Sequence, residues 1–225
     1  MASTPQGLFE AIEANDVDRV RALIAEDPSL AAARDEDGVS ALLRARYRLD
    51  RALVAAVRTH RGELDAPEAA ALGELDRLAV LLDADPSLVE MRTPDGFTLL
   101  HLAAFFAGGD AVRLLLARGA DVDARGTGWM SGTALHSGVS AHDADAVRAL
   151  LDAGAEVDAR QSVGYTPLHG AAHNGDAAIV RMLLEAGADP SLTNDEGKDA
   201  LAFAEEGGDA ETIELLAGGS DQVSG

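Results

Sequence analysis

The sequence predicts an all-α fold, a solenoid of about seven stacked helix-pair units. A unit recurs along nearly the whole chain, and its cleanest copy spans residues 164–189. Each copy holds two short apolar segments with helical spacing, separated by a glycine or a polar residue. Because two helices this short cannot bury their apolar faces alone, they need a neighbouring copy on each side.

The cleanest copy shows where both helices begin and end. Thr166 and Pro167 start the first helix, since threonine accepts a backbone N–H and proline has no N–H to lose. Gly175 ends that helix, and Asp176 opens the second with its carboxylate at the positive helix terminus. The second helix has a buried stripe of Ile179, Val180, Leu183 and Leu184. Gly187 closes it in the left-handed conformation.

The other copies align with this one from end to end. Units are predicted to begin near residues 6, 40, 64, 98, 133, 166 and 199. The fourth position is histidine in three of them: His101, His136 and His169. The second helix begins with an acid at Asp16, Asp50, Glu74, Asp143, Asp176 and Asp209. The sequence therefore predicts a repeat domain over 6–217, between a short tail at 1–5 and a flexible tail at 218–225.

The motifs at 98–101, 133–136 and 166–169 read Thr-Leu-Leu-His, Thr-Ala-Leu-His and Thr-Pro-Leu-His. Each is followed by Leu-Leu and then Gly-Ala-Asp or Gly-Ala-Glu. They resemble ankyrin repeats, in particular the alanine-rich ankyrin proteins of bacteria. The resemblance implies a curved stack with β-hairpin fingers along one edge. It also implies that the histidine is structural, and that the ends of the first helices and the finger tips contact a ligand.

The second and third units depart from the pattern. The third begins near 64, too soon after 40 for a full unit, and residues 62–65 run directly into a helix. We expect a gap in the row of fingers at this junction, not a domain boundary. The second unit is also rich in arginine, with Asp50 as the only acid in that stretch: Arg44, Arg46, Arg48, Arg51, Arg58 and Arg61. This cluster predicts a local positive patch on an acidic protein.

Composition narrows the function classes. The net charge of −21 argues against nucleic-acid binding and against anionic membrane surfaces, because both rest on cationic contacts. Cysteine is absent, so no disulfide framework is expected. No apolar run suggests a signal or a membrane span, and the expectation is a cytoplasmic monomer. No cofactor is expected, and His169 with His173 lacks the further ligands of a metal site.

Candidate binding residues follow from register. Positions eight and nine of each unit face the groove in the resembled family, and the finger tips project beside them. The candidates are Arg46, Tyr47, Arg48, Phe97, Phe105, Phe106, Trp129, Met130, Ser140, Tyr165, His173 and Asn174. Six of the eight aromatic residues fall in this set, which favours binding. The other interpretation is that Phe105 and Phe106 only fill the step beside a shortened unit.

These observations favour a non-enzymatic interaction module whose groove receives another protein or peptide. An arginine-rich part and an aromatic centre would suit a partner segment with acidic and apolar residues. The alternative is an enzyme or small-molecule binder that uses the same groove as a pocket. There Arg46 or Arg48 would hold an anion and His173 would act as acid or base, although no catalytic residue stands out. Fold alone does not decide between the two functions.

Overall fold

The computed structural model describes residues 4–127 and 131–219, and it confirms the predicted stack of helix pairs. The helices of this part of the chain are α1 (Pro5–Glu13), α2 (Val17–Glu26), α3 (Ala41–Tyr47), α4 (Arg51–Arg58), α5 (Ala66–Leu72), α6 (Leu75–Ala84), α7 (Leu99–Leu102), α8 (Gly109–Ala117), α9 (Ala134–Ser140), α10 (Ala144–Asp152), α11 (Pro167–His173), α12 (Ala177–Glu185), α13 (Ala200–Gly207) and α14 (Ala210–Gly219). Short 3₁₀ turns span Pro28–Ala32, Pro86–Glu90 and Ser162–Gly164. None of these helices is long and apolar enough to cross a membrane.

The helices form two rows. Each odd-numbered helix packs against the next odd-numbered one, from α1 to α13, and forms the first-helix row. The even-numbered helices pack in the same way, except that α4 and α6 hardly touch. The core between the rows consists mainly of alanine, leucine and valine, whose small size suits thin helix-on-helix layers.

The helix starts depend on side-chain oxygens at the N-cap. The caps of the first helices are Thr4, Ser40, Asp65, Thr98, Thr133, Thr166 and Asp199. The third unit therefore starts at Asp65, one residue after the predicted Leu64. The physical reason is that the Asp65 carboxylate accepts the backbone N–H of Glu68 at 3.0 Å, which a leucine cannot do.

The turn between the two helices of a unit uses a left-handed residue. It is Asn15, Leu49, Gly73, His142, Gly175 or Gly208, each with positive φ. In the fourth unit the positive φ falls instead on Gly108, the N-cap of α8, and the residues before it are helical. This difference shapes the site described below.

The fingers are tight turns, not strands. In residues 35–39, 93–97, 161–165 and 194–198, the first N–H donates to the carbonyl of the fifth residue at 2.8–3.0 Å. Only two isolated antiparallel bridges, Arg34–Ser40 and Arg92–Thr98, occur in the described residues. The predicted hairpins are thus reduced to chain reversals closed by one or two hydrogen bonds.

The junction between the second and third units lacks a finger, because α4 and α5 are joined directly by residues 59–65. The structure does not show the expected gap in the row of fingers. A methyl group added at Gly38 would lie 3.3 Å from Pro94 Cγ, so the fingers of units two and four are in contact. The row closes up because nothing from the third unit separates them.

Ion pairs hold this irregular junction together. Arg61 and Arg34 bond to Glu68 and Asp65 at 2.9 and 2.5 Å. The Glu68 side chain is fully buried, and it also accepts the backbone N–H of Asp65. Glu68 thereby occupies the place that histidine takes in later units. Part of the arginine cluster thus acts within the fold.

Candidate functional site

A cavity of about 220 Å³ opens between the second and fourth units, on the first-helix row. We call it the aromatic cavity. Its ring walls are Tyr47, Phe97, Phe105 and Phe106. The remaining lining is Arg44, Asp95, His101, Leu102 and Ser137. Four of the predicted binding residues therefore meet at one place.

Aromatic rings from units two and four meet because the third unit does not fill the space between them. Helix α5 buries only small side chains along much of its length, including Ala66, Ala69, Ala70 and Ala71. The Tyr47 ring stacks on Phe106 with centroids 5.7 Å apart and planes 13° apart. It also meets Phe97 edge-on at 6.2 Å. The shortened unit thus creates the cavity, and the aromatic side chains enclose it.

Phe105 and Phe106 lie on a wider helical turn. Residues Ala103–Ala107 continue α7 as a π-helical turn that ends at Gly108, whose N–H donates to the Ala103 carbonyl at 2.9 Å. The two rings touch edge-to-face at 4.7 Å, and both remain half-buried. They pack against neighbouring side chains and also line the cavity. π-Helical turns of this kind occur often at functional sites.

Two polar atoms face the aromatic cavity without a hydrogen-bond partner in the described part of the chain. They are the Tyr47 hydroxyl and Asp95 Oδ1. Burial, reinforced by the negative charge of Asp95, raises the pKa of the Tyr47 hydroxyl. The hydroxyl therefore stays protonated and can both donate and accept.

Arg46 and Arg48 both bond to other groups of the chain. The Arg46 guanidinium donates to the carbonyls of Ala71 at 3.2 Å and Phe106 at 2.5 Å, and it lies 5.0 Å from the Phe106 ring centroid. Arg48 donates to Asn15 Oδ1 at 2.9 Å. Neither residue lines the aromatic cavity. Arg46 thus braces the irregular junction, whereas Arg48 is exposed and bonds to the first unit.

The remaining candidates lie elsewhere. Tyr165 packs on Phe203 and His169, with ring centroids 5.0 and 5.8 Å away. His173 is exposed, with its ring 6.1 Å from Phe203. Of the four further candidates, Ser140 and Asn174 are exposed and do not line the cavity, and Trp129 and Met130 lie outside the described residues. His173 does not line the aromatic cavity.

The repeated histidines are structural. His169 Nδ1 accepts the backbone N–H of Thr166 at 3.0 Å, and its Nε2 lies 3.2 Å from the Lys198 carbonyl. His136 repeats this arrangement with Thr133 and the Tyr165 carbonyl. Each imidazole therefore joins its own helix start to the next finger. In the described chain, no three His, Asp or Glu side chains come together as a metal site.

Sequence reasoning missed Asp95, His101 and Ser137 as cavity residues. Asp95 is the third residue of its finger, and aligning the fingers places it opposite Asp37, so an alignment of fingers could have singled it out. The resemblance predicts a structural role for His101, and its Nε2 lies 3.1 Å from the Gly132 carbonyl. No sequence signal distinguishes Ser137, because its position depends on how unit five packs on unit four.

Comparison with known proteins identifies the family of the repeats. A family model described as ankyrin repeats, in three copies, matches residues 68–161 and 135–224. Together these stretches cover more than half of the chain. No curated protein matches the sequence.

Proposed function

This chain belongs to the ankyrin-repeat family, and we propose that it is a protein-binding module whose contact surface is centred on the aromatic cavity. Ankyrin repeats generally act as protein–protein interaction modules. The finer part of the proposal is the place of contact. It rests on the half-buried pair Phe105 and Phe106 beside an open cavity of about 220 Å³.

Energetics support this place. A phenylalanine ring left partly exposed forgoes part of the roughly 1.5–3 kcal/mol that full burial would contribute. The fold keeps two such rings side by side, next to Tyr47, in a chain with only eight aromatic residues. Aromatic side chains at the centre of a contact surface commonly dominate its binding energy. A partner that inserts a side chain here would bury the exposed ring surface.

The test begins with peptides selected from a random display library on the immobilised protein. The variant is Phe105→Ala, and the matched control is Phe9→Ala, another half-buried phenylalanine that lies outside the cavity. We expect Phe105→Ala to weaken peptide affinity by about 2 kcal/mol or more, as for a central aromatic contact. Phe9→Ala should leave affinity unchanged. Affinity is measured by calorimetry and stability by urea unfolding.

Two results would contradict the proposal. One is equal peptide affinity of Phe105→Ala and the unaltered protein. The other is a loss of affinity in both variants that follows their loss of stability, which would make Phe105 a core residue and nothing more.

A further inference from the structure

The aromatic cavity contains an unsatisfied acceptor. Asp95 Oδ1 and the Tyr47 hydroxyl are both shielded from solvent, and neither is hydrogen-bonded within residues 4–127 and 131–219. A carboxylate oxygen removed from water without a donor is destabilising. The other polar groups that line the cavity, Arg44, His101 and Ser137, do not bond to this oxygen. An occupant of the cavity that carries a donor can do so.

The acidic side chains at the third position of the fingers have different surroundings. Asp37, the third residue of the preceding finger, bonds to Arg44 at 3.0 Å. Glu196, the third residue of the last finger, is exposed to solvent. Of these three, Asp95 lines the cavity and has a shielded oxygen without a hydrogen-bond partner in the described chain. The finger geometry is shared, so the unmet acceptor is specific to this site.

The local charge favours a cation. The cation that lines the cavity is Arg44, and its guanidinium is already bonded to Asp35 at 2.5 Å as well as to Asp37. The negative charges of Asp35, Asp37 and Asp95 all act on the Arg44 guanidinium. The chain as a whole carries a net charge of −21. Both the nearby groups and the whole molecule therefore attract positive charge to this opening.

Ring faces add to that attraction. The face of an aromatic ring is electron-rich and binds ammonium or guanidinium groups within about 6 Å of its centroid. The protein already uses this contact once, because the Arg46 guanidinium lies 5.0 Å from the Phe106 centroid. The cavity exposes further ring surface from Tyr47 and Phe105 beside the unmet carboxylate oxygen.

Resting on the proposed protein-binding function, we propose that the aromatic cavity receives a lysine side chain of the partner protein. Its ammonium group donates to Asp95 Oδ1 and to the Tyr47 hydroxyl, and its aliphatic stem lies against the phenylalanine rings. The volume suits it, since about 220 Å³ holds about seven groups of water size. An ammonium group is a compact cation with three donors, whereas the fork of a guanidinium needs more acceptors than these two atoms provide.

The first test uses n-butylammonium chloride as the probe, in NMR titrations of the ¹⁵N-labelled protein at constant ionic strength. We expect saturable shifts at the backbone amides of residues 95–97 and 105–106. Neutral n-butanol, which has the same length, should bind more weakly by about tenfold, the size expected for loss of a charge-assisted hydrogen bond. Equal binding of n-butanol, or no saturable shift with n-butylammonium, would overturn the proposal.

Variants test the two polar contacts. Asp95→Asn and Tyr47→Phe should each weaken n-butylammonium binding, Asp95→Asn by about tenfold or more because it removes the charge. Matched controls are Glu196→Gln in the equivalent position of another finger and Tyr165→Phe on another ring, and both should bind as the unaltered protein does. Asp95→Asn should keep or raise the urea midpoint, since it removes a shielded charge. Unchanged affinity in both Asp95→Asn and Tyr47→Phe would sink the proposal.

A further experiment distinguishes failure of the lysine proposal from failure of the proposed protein-binding function. In a peptide selected on the protein, each lysine is replaced by norleucine, which keeps the aliphatic chain and removes the ammonium group. A marked loss of affinity on one such replacement supports the lysine proposal. If norleucine peptides and Asp95→Asn bind normally while Phe105→Ala does not, the interaction surface stands and the lysine proposal is wrong.

Discussion

The imidazole of His136 illustrates how single residues join the repeats. Its Nδ1 accepts the Thr133 N–H at 3.2 Å, so the proton sits on Nε2, which lies 3.4 Å from the Tyr165 carbonyl. A second proton on Nδ1 would point at the Thr133 N–H. Burial lowers the pKa of His136 to about 4, and burial also lowers the pKa of His101 and His169. The neutral form is therefore the folded form.

We predict that stability falls on mild acidification. The folded pKa of His136 lies near 4, below the ordinary 6.5, so between these values the unfolded chain binds more protons. The contribution of His136 to the free energy of unfolding is fully present well above pH 6.5, and it is lost as the pH falls toward 4. Protonation of His136 in the unfolded chain should by itself lower the free energy of unfolding by about 2 kcal/mol at pH 5. Urea unfolding at pH 7.5 and pH 5 measures the change.

The variant His136→Ala isolates this residue. At pH 7.5 it should lose about 1–3 kcal/mol, because it leaves the Thr133 N–H and the Tyr165 carbonyl without a partner. Its pH dependence should be weaker than that of the unaltered protein, and the exposed His173→Ala should show neither effect. If His136→Ala kept its full stability but lost peptide binding, the structural role of this histidine would be refuted.

At the scale of the element, the fourth unit differs from its neighbours in one turn. Most units turn between their helices on a left-handed residue such as Gly175, but here Ala107 remains helical and Gly108 makes the turn. Gly108 adopts φ 88° and ψ −174°, a region essentially restricted to glycine. The preceding residues widen into the π-helical turn that carries Phe105 and Phe106. Gly108 thus ends the turn that carries two of the cavity's rings.

We predict that Gly108→Ala destabilises the protein by about 2–3 kcal/mol. The added methyl group would also meet Asp143 Oδ2 at 2.9 Å. Gly119→Ala is the matched control, since Gly119 has the same φ of 88° but no atom within 4 Å of an added methyl group. It should cost only about 1 kcal/mol. Thermal unfolding followed by circular dichroism compares the two, and equal losses would show that the fourth-unit turn is an ordinary one.

At the scale of the whole molecule, acidic residues outnumber basic ones, and many of the basic residues are already paired. The chain has 39 acidic and 18 basic residues, and arginines of the second unit bond inside the fold. The excess carboxylates repel one another across the stack. Surface ion pairs such as Arg113–Asp145 at 2.8 Å offset little of this, because exposed pairs contribute about 0–1 kcal/mol.

We predict that salt stabilises the protein. The Debye length falls to about 10 Å at 0.1 M salt, which screens repulsion between distant carboxylates more than it weakens close ion pairs. The urea midpoint should therefore rise between 20 and 300 mM NaCl, roughly in line with the Debye screening of exposed charges. KCl at equal ionic strength serves as the control and should act alike. A midpoint that falls with salt would mean that the ion pairs outweigh the repulsion.

The sequence by itself determined the repeat, the helix termini and the structural histidines. These features depend on hydrogen bonds between residues a few positions apart, as in the acceptance of the Ile179 N–H by Asp176 at 3.2 Å. They also depend on apolar periodicity, which every unit repeats. The sequence also indicates the irregular third unit, because the starts of units two and three, near 40 and 64, are closer together than the starts of the other units.

Only the tertiary structure shows which residues meet around the shortened third unit. The fingers of units two and four close over the third unit, Tyr47 stacks on Phe106, and the Arg46 guanidinium bonds to the Phe106 carbonyl. Such contacts join residues that are far apart in sequence, so neither register nor composition predicts them. Whether a charge is paired depends on its neighbours in space. For that reason the internal role of Arg46 and the unmet oxygen of Asp95 could be found only in the folded chain.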